Sequence, residues 1–221
     1  MHSRARQAVV PIYLFACLIL GGSAQGIWQN MVLQLAGVAI IGWAAASSSD
    51  ESLPPSARHL LAIAALAIAV VAIQLIPLPL WLWAQLGPRE ALARQYGILG
   101  MHPSGLPLSL NPYGSLDSML GLIPPLAIVC AMVRLKAYGP TWLALALLAG
   151  TAAGILLGAL QVASSRAAEA PWYLYEETNV GIAVGFFANA NHMATLQLIG
   201  LPFLAAAAAA WRARAAPLLG V

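Results

Sequence analysis

"TWLALALLAGTAAGILLGALQVA", residues 141–163, contains no charged side chain. A helix needs about 20 apolar residues to cross the roughly 30 Å hydrocarbon core of a bilayer, and this stretch supplies them. Gly150, Gly154 and Gly158 recur at i, i+4 and i+8 on one stripe, where the missing side chains let another helix backbone approach closely. The stripe reads as a packing motif. Gln161 continues it, either bonding a partner helix or facing a site.

The rest of the chain follows the same pattern. Hydrophobic residues make up 61% of the 221 and charged residues 8%, with a mean hydropathy of +0.82. A soluble domain carries about 25% charged residues, so the composition predicts an integral membrane protein. The expected fold class is all-α: a polytopic transmembrane bundle of about six spanning helices, in one transmembrane domain over residues 1–221. The six apolar stretches are Ala8 to Ala24, Met31 to Ala46, Leu60 to Ile76, Ser118 to Val133, Thr141 to Ala163 and Met193 to Trp211. The first has an alternative reading as a signal peptide, because Arg4 and Arg6 precede it and the small residues of "GSAQG" follow it. Five more spans downstream favour a membrane anchor. Cys17 and Cys130 fall inside spans as small apolar side chains. Neither a disulfide framework nor a metal site follows from them, and no cofactor is expected.

Charge sets the expected orientation. With a cytoplasmic N-terminus, Arg4, Arg6, Arg58, Arg134, Lys136, Arg212 and Arg214 lie inside, and Arg89, Arg94 and Arg166 lie outside, as the positive-inside rule requires. Glu90, Asp117, Glu169, Glu176 and Glu177 fall outside, against Asp50 and Glu51 inside. All seven tryptophans sit at span ends or in flanking loops, where interfacial aromatics belong. The net charge of +3 then reflects contact with membrane lipid and not with nucleic acid. The long loops, 77–117 and 164–190, face outward, so chemistry is expected there. Within the first, "PLPLWLWAQLGPREALARQYGIL" mixes Trp and Leu with Arg89, Glu90 and Arg94, a composition that suits a helix lying in the interface.

The six stretches hold no Asp, Glu, Lys, Arg or His in their cores. A charged group at that depth costs at least about 2.5 kcal/mol to insert and marks ion or proton pathways, so the pattern argues against an ion relay. Gln74, near the end of the third span, is accounted for by a hydrogen bond to a neighbouring helix. Pro124 and Pro125 are expected to kink the fourth.

"GFFANANHMA", residues 185–194, places Asn189, Asn191 and His192 directly before the last apolar run. Asparagine is a favoured N-cap, because its side-chain oxygen accepts from an unpaired backbone N–H of the first turn. The same helix start, with unpaired N–H groups and the positive end of the dipole, favours anions such as phosphates. Capping and substrate contact are both open for these residues.

The segment resembles the G-x-F-x-N-x-N-H-x-A pattern of the O-antigen ligase and polymerase family of bacterial inner-membrane proteins. "IQLIPLPLWLWAQLGP", "PLSLNPYGSLDSMLGLIPPLA" and "LLGALQVASS" are similar to the same family in the same order, so the resemblance runs from about Ile73 to Leu204. It implies a multi-spanning glycosyltransferase without metal or nucleotide. Such an enzyme moves a glycan from undecaprenyl pyrophosphate to a lipid A-core or glycan acceptor at the periplasmic face. On that resemblance the substrate-binding candidates are Asn189, Asn191, His192, Arg166 and Arg89, with no catalytic residue assigned. Family members carry important arginines and a histidine in a later periplasmic loop that this sequence does not match. The expectation is therefore the N-terminal portion of a larger bundle, lacking the catalytic loop. A flippase or permease, or a non-catalytic scaffold using the glycine stripe, are the alternative readings.

Overall fold

The computed structural model describes residues 2–47, 53–164 and 171–215. In chain order these form α1 (His2–Leu20), α2 (Ile27–Ala46), α3 (Pro55–Gln74), β1 (Pro77–Pro79), α4 (Leu80–Trp83), α5 (Arg89–Ile98) and β2 (Gly105–Pro107). They continue with α6 (Pro112–Gly121), α7 (Ile123–Val133), α8 (Pro140–Ala163) and α9 (Ala190–Ala215). The architecture is all-α, as the composition requires. Pro55, Pro112 and Pro140 each open a helix, where the missing N–H costs nothing.

Among the described residues, five helical segments are long and apolar enough to cross a bilayer: α2, α3, α6 with α7 as Pro112–Val133, α8, and α9 over Ala190–Ala213. The first of the six expected stretches differs. Its apolar helical part, Arg6–Leu20, is shorter than a full crossing, and the helix ends at Leu20, before Gly21 and Gly22. The kink expected at Pro124 and Pro125 is an interruption: α6 ends at Gly121 and α7 starts at Ile123. Two adjacent prolines remove two consecutive N–H donors, so the carbonyls a turn earlier lose their helical partners.

The chain divides into two compact units, Met1–Ser49 with Ala127–Val221, and Asp50–Leu126. In the first, α8 packs against both α1 and α9. Leu147, Gly150, Thr151, Gly154, Gly158 and Gln161 form its buried face. A Cβ on Gly150 would stand 2.7 Å from Leu18 of α1, and one on Gly154 would stand 3.3 Å from the Met193 thioether of α9. The glycine stripe is therefore the surface on which both neighbours rest. Away from the loop joining α8 to α9, Val10, Ala44, Ala131, Leu135 and Ala137 form a buried cluster. There the Val10 amide donates to the Ala137 carbonyl at 3.1 Å, tying α1 to the α7–α8 turn.

In the second unit, β1 and β2 form an antiparallel pair with Pro77 opposite Pro107 and Pro79 opposite Gly105. No residue pattern announces this pair. Prolines cannot donate to a ladder, and three residues a side is the shortest such pairing in use. Gln74 meets α6 as expected: its side-chain oxygen lies 3.4 Å from the Ser115 hydroxyl, which also bonds Ser109 Oγ at 2.7 Å. Helix α3 buries none of its residues, and Ile63, Leu66 and Val70 are all exposed. An apolar face of that extent fits a helix long and apolar enough to cross a bilayer.

Candidate functional site at the start of the last helix

The α8–α9 loop, over its described residues 171–189, is folded by side chains that grip its backbone. Gln161 is fully buried at the end of α8. Its Oε1 accepts from the Val184 N–H at 2.9 Å and the Gly185 N–H at 2.8 Å. Its Nε2 donates to the carbonyls of Gly185 and Trp172, both at 2.9 Å. A carboxamide has two donors and a two-lone-pair acceptor, so this geometry uses all of them on backbone groups. The packing role expected for Gln161 thus takes the form of a clip on a loop and not on a helix. Gly185 suits that position: its φ is +59°, and a Cβ there would approach the Gly154 carbonyl oxygen to 2.9 Å.

A second carboxamide repeats the arrangement at the α1–α2 turn. Gln25 donates to the Glu177 carbonyl at 3.0 Å and accepts from the Glu177 N–H at 3.1 Å. Gly22 lies so close to the Phe186 backbone that a Cβ would overlap the Phe186 carbonyl oxygen, and its own carbonyl accepts from Ala188 N–H at 3.1 Å. Tyr175 packs here too. Burial pushes its phenol above the ordinary value, partly offset by a hydrogen bond with the Gly22 backbone. Tyr173 closes the tip, accepting from Gly181 N–H at 2.8 Å and donating to the Ile182 carbonyl at 3.2 Å.

This scaffold presents the start of α9. The Asn189 side chain accepts from Asn191 N–H at 2.8 Å, while the Asn189 carbonyl takes His192 N–H at 3.1 Å. The Ala190 N–H donates to Asn179 Oδ1 at 3.0 Å. Capping is therefore what Asn189 does, and the first-turn amides that would favour an anion are already bonded. Asn191 and His192 are exposed. The His192 ring stands edge-on to Phe187, with centroids 6.0 Å apart and planes at 76°. Among the described residues no hydrogen bond engages the Asn191 carboxamide. The surface thus offers one free amide and one imidazole, able to hold a hydroxyl and to move its proton.

The structure brings Asn189, Asn191 and His192 together. Arg89 belongs to the other unit, where its guanidinium lies 5.1 Å over the Trp83 ring. Arg166 lies outside the described residues. Gln25, Tyr173 and Asn179 went unnoticed in the sequence, because each acts on backbone groups that leave no residue-type signal. Among the described residues, no cluster of His, Cys, Asp or Glu could hold a metal ion.

Fold and loop define the class: an all-α chain whose five apolar helices fit a multi-pass membrane protein. No protein-family model, curated protein or solved structure matches it.

Proposed function

We propose that the protein is a membrane glycosyltransferase of the O-antigen ligase and polymerase kind. It would sit in a bacterial inner membrane with its N-terminus cytoplasmic and the α8–α9 loop periplasmic. The observation that carries this reading is the exposed Asn191 and His192 pair, held at the start of α9 while Asn189 is consumed in capping. The N-x-N-H resemblance and the charge-free spans support it.

In the reaction, an acceptor hydroxyl attacks the anomeric carbon of a glycan on undecaprenyl pyrophosphate. The bond from acceptor oxygen to anomeric carbon forms as the bond from that carbon to the phosphate oxygen breaks, and the lipid pyrophosphate leaves with the electron pair. His192 takes the hydroxyl proton. Asn191 orients a sugar hydroxyl, and Arg166, in the same loop, offsets the developing negative charge.

Chromosomal Asn191→Ala and His192→Ala variants test this. The expected result is loss of surface glycan and accumulation of the lipid-linked precursor at unchanged protein level, with His192→Ala slowing transfer by about 100-fold or more. Unchanged surface glycan in both variants contradicts the reading. Precursor stranded on the cytoplasmic side would instead identify a flippase.

A further inference from the structure

The segment between α3 and α6 contains a cleft of about 460 Å³ that glycosyl transfer leaves unused. Leu92 and Tyr96 line it from one face of α5 at i and i+4, with Leu99 at the helix C-cap, together with Trp83, Leu106 and Leu110. That size and apolar lining are those of a small-molecule site. Leu99 is 72% exposed and Leu110 65%, so the lining is open, while Trp83 is held by a 2.8 Å bond from its indole N–H to the Pro107 carbonyl.

Two further observations select the occupant. The chain enters this segment from Gln74, the last residue of α3, and leaves it through Pro112, the first residue of α6, which also lines the cleft. Both are ends of bilayer-length segments, so with those segments crossing a bilayer the cleft falls at the boundary of headgroups and hydrocarbon. The second observation is charge. Arg89 stacks on Trp83, and its buried Nη1 has no hydrogen-bond partner among the described residues. Exposed Arg94 adds a second cation to α5, against one acid, Glu90.

We propose that the cleft binds one hydrocarbon chain of an anionic bilayer glycerophospholipid, with the lipid phosphate against Arg89. A diacyl lipid is the bulk apolar species at that depth, and Arg89 supplies the charge complement to its headgroup. The site stands independently of the transfer reading. It gives Arg89 a structural lipid in place of the pyrophosphate expected from the sequence.

The test uses the full chain in phosphatidylcholine nanodiscs doped with phosphatidylglycerol or phosphatidylcholine carrying a photoactivatable acyl chain, with crosslinks mapped by mass spectrometry. Residues 83–110 are expected to label about fivefold more with phosphatidylglycerol. Arg89→Gln removes the preference and Arg94→Gln keeps most of it. Leu99→Asp, at an exposed position that folding tolerates, lowers labelling by both lipids while α3 labels as before. Labelling that is equal for both headgroups, or unaffected by Leu99→Asp, overturns the proposal. So does displacement of the label by trace undecaprenyl phosphate, which would make the cleft a polyprenyl site.

Discussion

Replacing Gln161 with leucine keeps a similar side-chain volume and deletes four hydrogen bonds to the α8–α9 loop. Two of these satisfy buried N–H groups, each costing about 1–3 kcal/mol when orphaned, so Gln161→Leu should destabilise the loop by about 2–4 kcal/mol. Hydrogen exchange checks this: the Val184 and Gly185 amides should lose protection, and unchanged exchange there would contradict the clip. Tyr175 makes a pH-dependent contribution. Its folded pKa is raised by burial, so its share of loop stability is fully present below the ordinary value of about 10. That share is lost as pH rises past this value and through the folded one. In an alkaline absorbance titration, Tyr175→Phe should remove one late-ionising phenol, and an unchanged late amplitude would contradict this. Capping by Asn189 was readable, because asparagine before an apolar run is a local signal. Gln25 was not: its partner, Glu177, is 152 residues away and is engaged only through its backbone.

At the scale of elements, the glycine stripe of α8 was readable as a packing face from spacing alone, and its neighbours were not. Spacing says that something approaches, while Leu18, Met193 and Ala183 are set by the tertiary arrangement. Glycines that face neighbours and glycines that do not should behave oppositely. Gly150→Val drives a side chain into Leu18 and should cost about 1–3 kcal/mol. Gly42, in the interior of α2, has open space where a Cβ would stand, so Gly42→Ala should be neutral or stabilising by up to about 1 kcal/mol. Thermal unfolding in detergent measures both, and equal shifts for the two would contradict the packing described. The break between α6 and α7 was half readable: the proline pair marked the place, and an apolar run of that length concealed an interruption.

For the whole molecule, long uncharged runs made five of the six expected stretches readable as bilayer-length helices, with the start of the fourth at Pro112 and not Ser118, while the first falls short of a crossing. Solvation is averaged over a full crossing, and single residues matter little. The folding of the α8–α9 loop was not legible, because polar composition does not distinguish a free loop from one whose carboxamide clips hold it to α8 and the α1–α2 turn. Of the two unit boundaries, the one at Asp50 falls in the Ser- and Pro-rich "SSSDESLPPSARH". The other, at Leu126, lies inside an apolar helix and leaves no trace in composition. Orientation is the property on which the functional account depends most. The measurement that tests it directly is cysteine labelling in intact cells with a membrane-impermeant maleimide, after Cys17 and Cys130 are replaced by alanine. The account predicts that His192→Cys labels from outside and Arg58→Cys labels only after permeabilisation. The reverse pattern would put Asn191 and His192 on the cytoplasmic side and contradict an outward-facing glycan transfer site.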